Sequence, residues 1–165
     1  QDLSKAAGAN VQFELLNVDD LATQLPQGIC LDDLKMTVSP APTEPDASLL
    51  ILDSSNEIVE ETLYSNLLRS NCPVTGQPDW GTIFIRYRGA KLCRASVLTY
   101  LISYRQHSGF HEQCVEQIFS DIWKMLKPET LAIHAQYTRR GGLDINPCRS
   151  SDPLWLPQVK RLARQ

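Results

Sequence analysis

The sequence predicts an α+β fold, an antiparallel sheet with two helices packed on one of its faces. Three observations carry that expectation. GTIFIRYRG (81–89) alternates Ile83, Ile85 and Tyr87 with Thr82, Arg86 and Arg88, the two-residue period of a strand. Residues 96–128 carry two apolar stripes at helical spacing. TLAIHAQYTR (130–139) alternates again and turns Leu131, Ile133, Ala135 and Tyr137 inward.

From the start of the chain, VQFELLN (11–17) sets Val11, Phe13 and Leu15 against Gln12 and Glu14 and reads as a strand. After a turn at Pro26–Gly28, ICLDDLKMTV (29–38) reads as its partner, so residues 1–38 look like the remnant of a second module. Residues 39–61 are rich in proline and acids and read as a connector, in which SLLILD (48–53) is either a short strand or an apolar cover for a neighbour. The main unit is expected over 62–165. SNCPVTGQPDWG (70–81) reads as a loop, because Pro73, Gly76 and Pro78 mark turns. SVLTYLISYR (96–105) aligns Val97, Leu98, Leu101, Ile102 and Arg105 on one helical face. SGFHEQCVEQIFSDIWKMLKP (108–128) follows, with Val115, Ile118, Phe119, Ile122 and Leu126 as its stripe, Trp123 in the core, Ser108 as N-cap and Pro128 as stop. RRGGLDINP then turns the chain into a last strand.

The totals narrow the function. With 165 residues, 42% hydrophobic and 21% charged, the chain is globular in composition and long enough for a sizeable core. A net charge of −3 gives no general attraction to nucleic acid or anionic membrane. No apolar run approaches the roughly 20 residues of a membrane helix. Five cysteines (Cys30, Cys72, Cys93, Cys114 and Cys148) are an odd number without C-x-x-C spacing, which argues against a disulfide scaffold and for a reducing cytoplasm. The chain starts without methionine or a signal layout, so it is expected to be a processed or cut piece.

Several residues carry chemistry. Cys72 precedes a proline, which presses its backbone into an extended conformation and presents the sulfur at a defined angle, as a nucleophile requires. Asp79, next to Trp80 and seven positions on, is suited to donate a proton. FHEQC (110–114) places His111 and Glu112 in the first turn of a helix; Glu112 complements the helix dipole, whereas His111 is the less expected choice there. His134 reads as exposed on the polar face of its strand, and His107 as a surface cation. TRRGGLD (138–144) joins arginines, which grip phosphate, to glycines, which allow close backbone approach. Each of these also has a bland reading as a turn, cap or solvated face. Cys72, His111 and Cys114 around zinc is a further reading, weakened by the lack of a close ligand pair.

SNCPVTGQPDWG, FHEQC and YTRRGGLDINP occur in this order and spacing in the QueF family, the NADPH-dependent nitrile reductases of queuosine biosynthesis, which the chain resembles from about Glu60 to Gln165. The likeness is to the carboxyl-terminal module of the two-module branch, with residues 1–38 resembling the end of the module before it. It implies the tunnelling fold, in which modules join into a barrel with active sites at their interfaces, and hence a homo-oligomer or pairing with an amino-terminal module. It also implies that Cys72 adds to the nitrile of 7-cyano-7-deazaguanine, giving a thioimide. Asp79 would protonate the nitrogen, with His111 beside the reacting group, and Glu112 would read the guanine-like edge. Arg140 and Gly141 would meet the phosphates of NADPH, and no metal would be needed. Single-module relatives carry a Glu-Ser-Lys element where this chain has Cys93, Arg94 and Ala95. Part of the cofactor site is therefore expected to be missing, and reduction by this polypeptide alone is expected to be weak or absent. The alternatives left open are a zinc hydrolase like the GTP cyclohydrolase I family, which shares the fold, and a non-catalytic purine- or pterin-binding module.

Overall fold

A long hairpin of β2 (Ile58–Asn71) and β3 (Pro78–Ala90) forms the centre of the molecule. The computed structural model describes residues 2–12, 15, 23–37, 42, 44–158 and 160–165. After the hairpin come α2 (Arg94–Ser103), α3 (His111–Leu126) and β4 (Thr130–Arg140), as the periodicities predict. Shorter elements flank them: α1 (Asp2–Ala7), β1 (Ile29–Cys30), β5 (Leu143–Ile145) and β6 (Cys148–Ser150). The sheet runs β1-β2-β3-β4-β5, with β6 also on β4, and every pairing is antiparallel except β1 with β2.

One face of this sheet buries Leu63, Ile83, Ile85, Tyr87, Leu131 and Ile133 under the two helices, all without solvent exposure. The helices contribute Val97, Leu101, Val115, Ile118 and Ile122 to the same core. Helix α3 begins later than expected. Its N-cap is Phe110, not Ser108, and the Gln113 side chain reaches back to accept the Phe110 N–H at 3.2 Å. It ends at Lys127, whose left-handed backbone (φ 48°) lets the chain turn into Pro128. Phe119 is buried, but Trp123 is 38% exposed, stacked on Phe119 at the rim and not in the core.

Several expectations need correction. Residues 11, 12 and 15 of the first expected strand are not in a strand, and 13, 14, 16 and 17 lie outside the described residues. Of 29–37 only Ile29–Cys30 is a strand, and it pairs with β2; Val38 lies outside the described residues. β2 itself starts at Ile58, inside the expected connector. Its alternation is broken by a register shift between Ser65 and Leu68, which hides the strand from a period-two reading. Asp32 holds that irregularity, accepting from the Ser65 hydroxyl at 2.6 Å and from the Asn66 backbone and side chain at 2.9 and 3.0 Å. SLLILD is the cover: Ala47–Leu49 is a short 3-10 turn and Leu50 is buried.

The opposite face of the sheet is also clad. The segments around Gln24 and Leu162 run side by side, and the Gln136 side chain donates to the Lys160 carbonyl at 2.9 Å. A cleft of about 480 Å³ remains there, lined by Phe84, Arg86, His134, Gln136, Trp155 and others. His134 is half-buried in it, stacked on Phe84, and not the exposed residue that strand alternation suggests. Among the described residues no helix is long and apolar enough to cross a membrane.

Candidate active site

The β2–β3 connection is shorter than expected, spanning only 72–77, because Asp79 already belongs to β3. The Cys72 N–H donates to the Gln77 carbonyl at 2.8 Å, and the Cys72 carbonyl accepts the Gly76 N–H at 2.9 Å. Gly76 takes a positive φ of 68° to close this loop, a conformation glycine adopts without strain. The folded loop turns donors onto the Cys72 sulfur. The Thr75 hydroxyl, then the backbone amides of Thr75 and Val74, hold the thiol below its usual pKa, while the nearby Asp79 carboxylate opposes them. A thiol biased toward thiolate and only partly covered is a competent nucleophile.

Asp79 is only 3% exposed. Its burial does not come from Trp80, which alternation turns to the other face, where it is 43% exposed beneath Arg69. Instead Asp79 lies between two cationic or proton-bearing partners: Arg140 donates to Oδ1, and His111 Nε2 is 3.3 Å from Oδ2. A buried carboxylate without such partners would be costly. The Arg140 guanidinium also donates to the Gln77 side chain at 3.3 Å, and its own pKa is raised, first by the bond to Asp79. Cys72, Asp79, His111 and Arg140 are thus brought together from the β2–β3 loop, β3, the first residue of α3 and the end of β4.

The nucleophile loop and the helix are tied directly. The Asn71 N–H donates to the His107 carbonyl at 2.8 Å, and the Asn71 carbonyl accepts the Gly109 N–H at 3.1 Å. Arg69 braces the same join, donating to the Arg105 carbonyl at 2.7 Å and to the Asn71 side chain at 3.0 Å. This fixes Cys72 relative to His111, two groups 39 positions apart in the chain. Behind the site lie Ser70, Tyr137 and Cys114, all without exposure. Burial pushes the Cys114 thiol up, only partly offset by the hydroxyls of Ser70 and Tyr137 beside it.

Glu112 sits apart from this cluster, exposed at the start of α3, where it lines an open hollow of about 740 Å³ with His107, Ser108 and Gln113. Gly141 lies at the tip of the β4–β5 turn with φ 56° and open space around it. Arg94 is committed to Glu61 at 2.8 Å. Among the described residues no group of three His, Cys, Asp or Glu is placed to hold a metal ion, so Cys72, His111 and Cys114 do not gather as ligands. Sequence reasoning missed Thr75, Gln77 and the brace at Asn71. Thr75 had a visible signal, a hydroxyl within the turn that follows Cys-Pro.

Comparisons with known proteins bear on the family and the fold. Residues 78–153 match the model of the QueF-like protein family. The chain is 65% identical over its whole length to the NADPH-dependent 7-cyano-7-deazaguanine reductase of Acinetobacter baumannii, and 63% identical to the enzyme of that name from Acinetobacter baylyi. It spans about 60% of the length of these relatives. A solved structure, the apo form of the archaeosine synthase QueF-Like, matches 57% of this chain and 92% of its own, with a TM-score of 0.50 and 19% identity. That last likeness speaks to the fold alone, a tunnelling-fold module.

Proposed function

We propose that this chain, a member of the QueF family, is the carboxyl-terminal catalytic portion of a reductase that converts the nitrile of 7-cyano-7-deazaguanine to a primary amine. The observation that supports it most is the join at Asn71, which ties the Cys72 loop to the start of α3 where His111 meets the buried Asp79. The Cys72 sulfur forms a bond to the electrophilic nitrile carbon as its proton passes to the Asp79 carboxylate, one of the two C–N π bonds opens, and Asp79, with His111 alongside, delivers that proton to the nitrogen. The product is a thioimide on Cys72. Glu112, at the edge of its hollow, accepts hydrogen bonds from the donor edge of the base.

NADPH is the cofactor of this reading. The exposed part of the Arg140 guanidinium and the open backbone at Gly141 fit a phosphate, and two NADPH bound there in turn would each supply one of the two hydrides that take the thioimide to the amine. Arg94 is occupied by Glu61 and adds no cation there, in keeping with weak or absent reduction by this polypeptide alone. Residues 1–38 are then the end of a preceding module packed onto the catalytic one, which begins with β2 at Ile58, inside the expected connector 39–61, and runs to Gln165. The rest of the site comes from another copy or from the amino-terminal module in the cytoplasm.

The test uses the chain as it stands. Mixed with the nitrile, it gains the mass of one substrate molecule and shows thioimide absorbance, while Cys72→Ala gains neither. A wild-type chain with Cys72 reduced that forms no adduct overturns the proposal.

A further inference from the structure

The geometry points to Tyr137 as a positioning residue for His111, seated by the absence of a side chain at Gly81. Tyr137 and Gly81 are paired residues on neighbouring strands β4 and β3. The tyrosine ring lies flat enough over the glycine that a Cβ added there would come within 3.1 Å of its Cδ1 and 3.3 Å of Cγ and Cε1. Such a contact is tighter than most packed Cβ atoms make, so a side chain at 81 pushes the ring by a few tenths of an ångström. Gly81 has an ordinary strand backbone, which leaves close approach, and not conformational freedom, as the reason glycine is required here.

The same Tyr137 ring meets the His111 imidazole, with centroids 4.2 Å apart and planes inclined at 60°. Gly81, Tyr137, His111 and Asp79 therefore form one stack that ends at the carboxylate, with Nε2 3.3 Å from Oδ2. His111 needs such support. It is the first residue of α3, where the helix supplies no preceding turn to limit its side chain. Its Nε2 is buried and, despite its closeness to Asp79, is not aligned for a hydrogen bond to any group among the described residues. The Asp79 contact alone does not hold the ring. The wall behind it does, and that wall is the fully buried Tyr137.

The face of the tyrosine, and not its hydroxyl, carries this role. The hydroxyl is itself buried without a hydrogen-bond partner, beside Ser70 and Cys114. The inference rests on the proposed function only for the consequence at Cys72; the placement of His111 stands without it.

Two readouts separate the two claims. In proton NMR of the full chain, the His111 ring signals carry the ring-current shift of an aromatic face 4.2 Å away. In Tyr137→Leu and in Gly81→Ala those signals move by several tenths of a ppm, and in Tyr137→Phe they stay close to wild type. With the nitrile, Tyr137→Leu and Gly81→Ala form the Cys72 adduct at least tenfold more slowly, and Tyr137→Phe recovers most of the loss. Gly81→Ala keeps every atom of the site, so it decides the matter where Tyr137→Leu fails to fold. Unmoved His111 signals in folded Gly81→Ala overturn the inference, as does an unchanged adduct rate alongside moved signals. A wild-type chain that forms no adduct while the signals move as described counts against the proposed reaction and leaves the positioning role supported.

Discussion

All three histidines lie half-buried against an aromatic ring, and two of them, His134 and His111, do opposite things. His134 on β4 lies parallel to Phe84, with centroids 4.4 Å apart and 4° between planes, on the face away from the helices. Burial alone, with no charged partner, pushes its pKa down to about 4, so it is a neutral packing residue near neutral pH. His111 meets Tyr137, three residues further along β4 and therefore on the other face, but it also meets a carboxylate. The aromatic contact is common to both. What separates packing from chemistry is Asp79, buried and paired with Arg140 on its second oxygen.

Removing that carboxylate breaks the difference most sharply. Asp79→Asn keeps the size of the side chain but takes away the proton donor and the anion opposite His111 and Arg140. General acid catalysis contributes about 10²–10⁴-fold, so adduct formation at Cys72 is expected to fall by about 10³-fold. Time-resolved mass spectrometry of the intact chain with the nitrile measures it. A variant within tenfold of wild type, still folded, means that Asp79 is not what distinguishes the two histidines.

The other histidine predicts an effect on stability. Its folded pKa of about 4 lies below the 6.5 of an unfolded chain. Above pH 6.5 both states leave it neutral and its contribution is intact. As pH falls through this window the unfolded chain binds a proton that the folded chain refuses, and the loss is complete near pH 4. The shift sets an upper bound of about 3 kcal/mol for this loss. His134→Phe removes it, because a phenyl ring stacks on Phe84 without titrating. Urea unfolding of both proteins at roughly pH 7 and pH 5 gives the comparison. If the two lose stability in parallel on acidification, His134 is solvated and its pairing with Phe84 does not keep it neutral.

Much of this was readable in the sequence because it was periodic or punctuated. β3, β4 and the two helices have unbroken patterns, and the inward sets of residues coincide with the buried ones except at Arg105 and Trp123. β2 was not legible, because the irregularity at Ser65–Leu68 flips the alternation halfway and Asp32, far back in the chain, is what stabilises it. The site motifs stood out as residue types, yet spacing left each one open to a bland reading. No local pattern shows that Arg140 turns back onto Asp79, or that Tyr137 supports His111, since both depend on strand register. The pairing of a tyrosine with a glycine across neighbouring strands becomes informative only once β3 and β4 are aligned.

The smallest expected effect concerns the partner both readings of the site share, the thiol itself. Thr75→Val keeps the branched shape but removes the hydroxyl that contributes most to lowering the Cys72 pKa. The backbone amides of Thr75 and Val74 remain, so the thiol moves only part of the way back toward its ordinary value. Because thiolate is the reacting form, the pH profile of adduct formation shifts to higher pH and the rate near neutrality drops by up to about tenfold. At high pH, where both proteins are fully ionised, the rates converge. Thr75→Ser, which keeps the hydroxyl, restores the wild-type profile. Superimposable profiles for Thr75→Val and wild type would instead assign the thiolate to a charge outside the loop, such as Arg140, and the loop would then serve to aim the sulfur without tuning it.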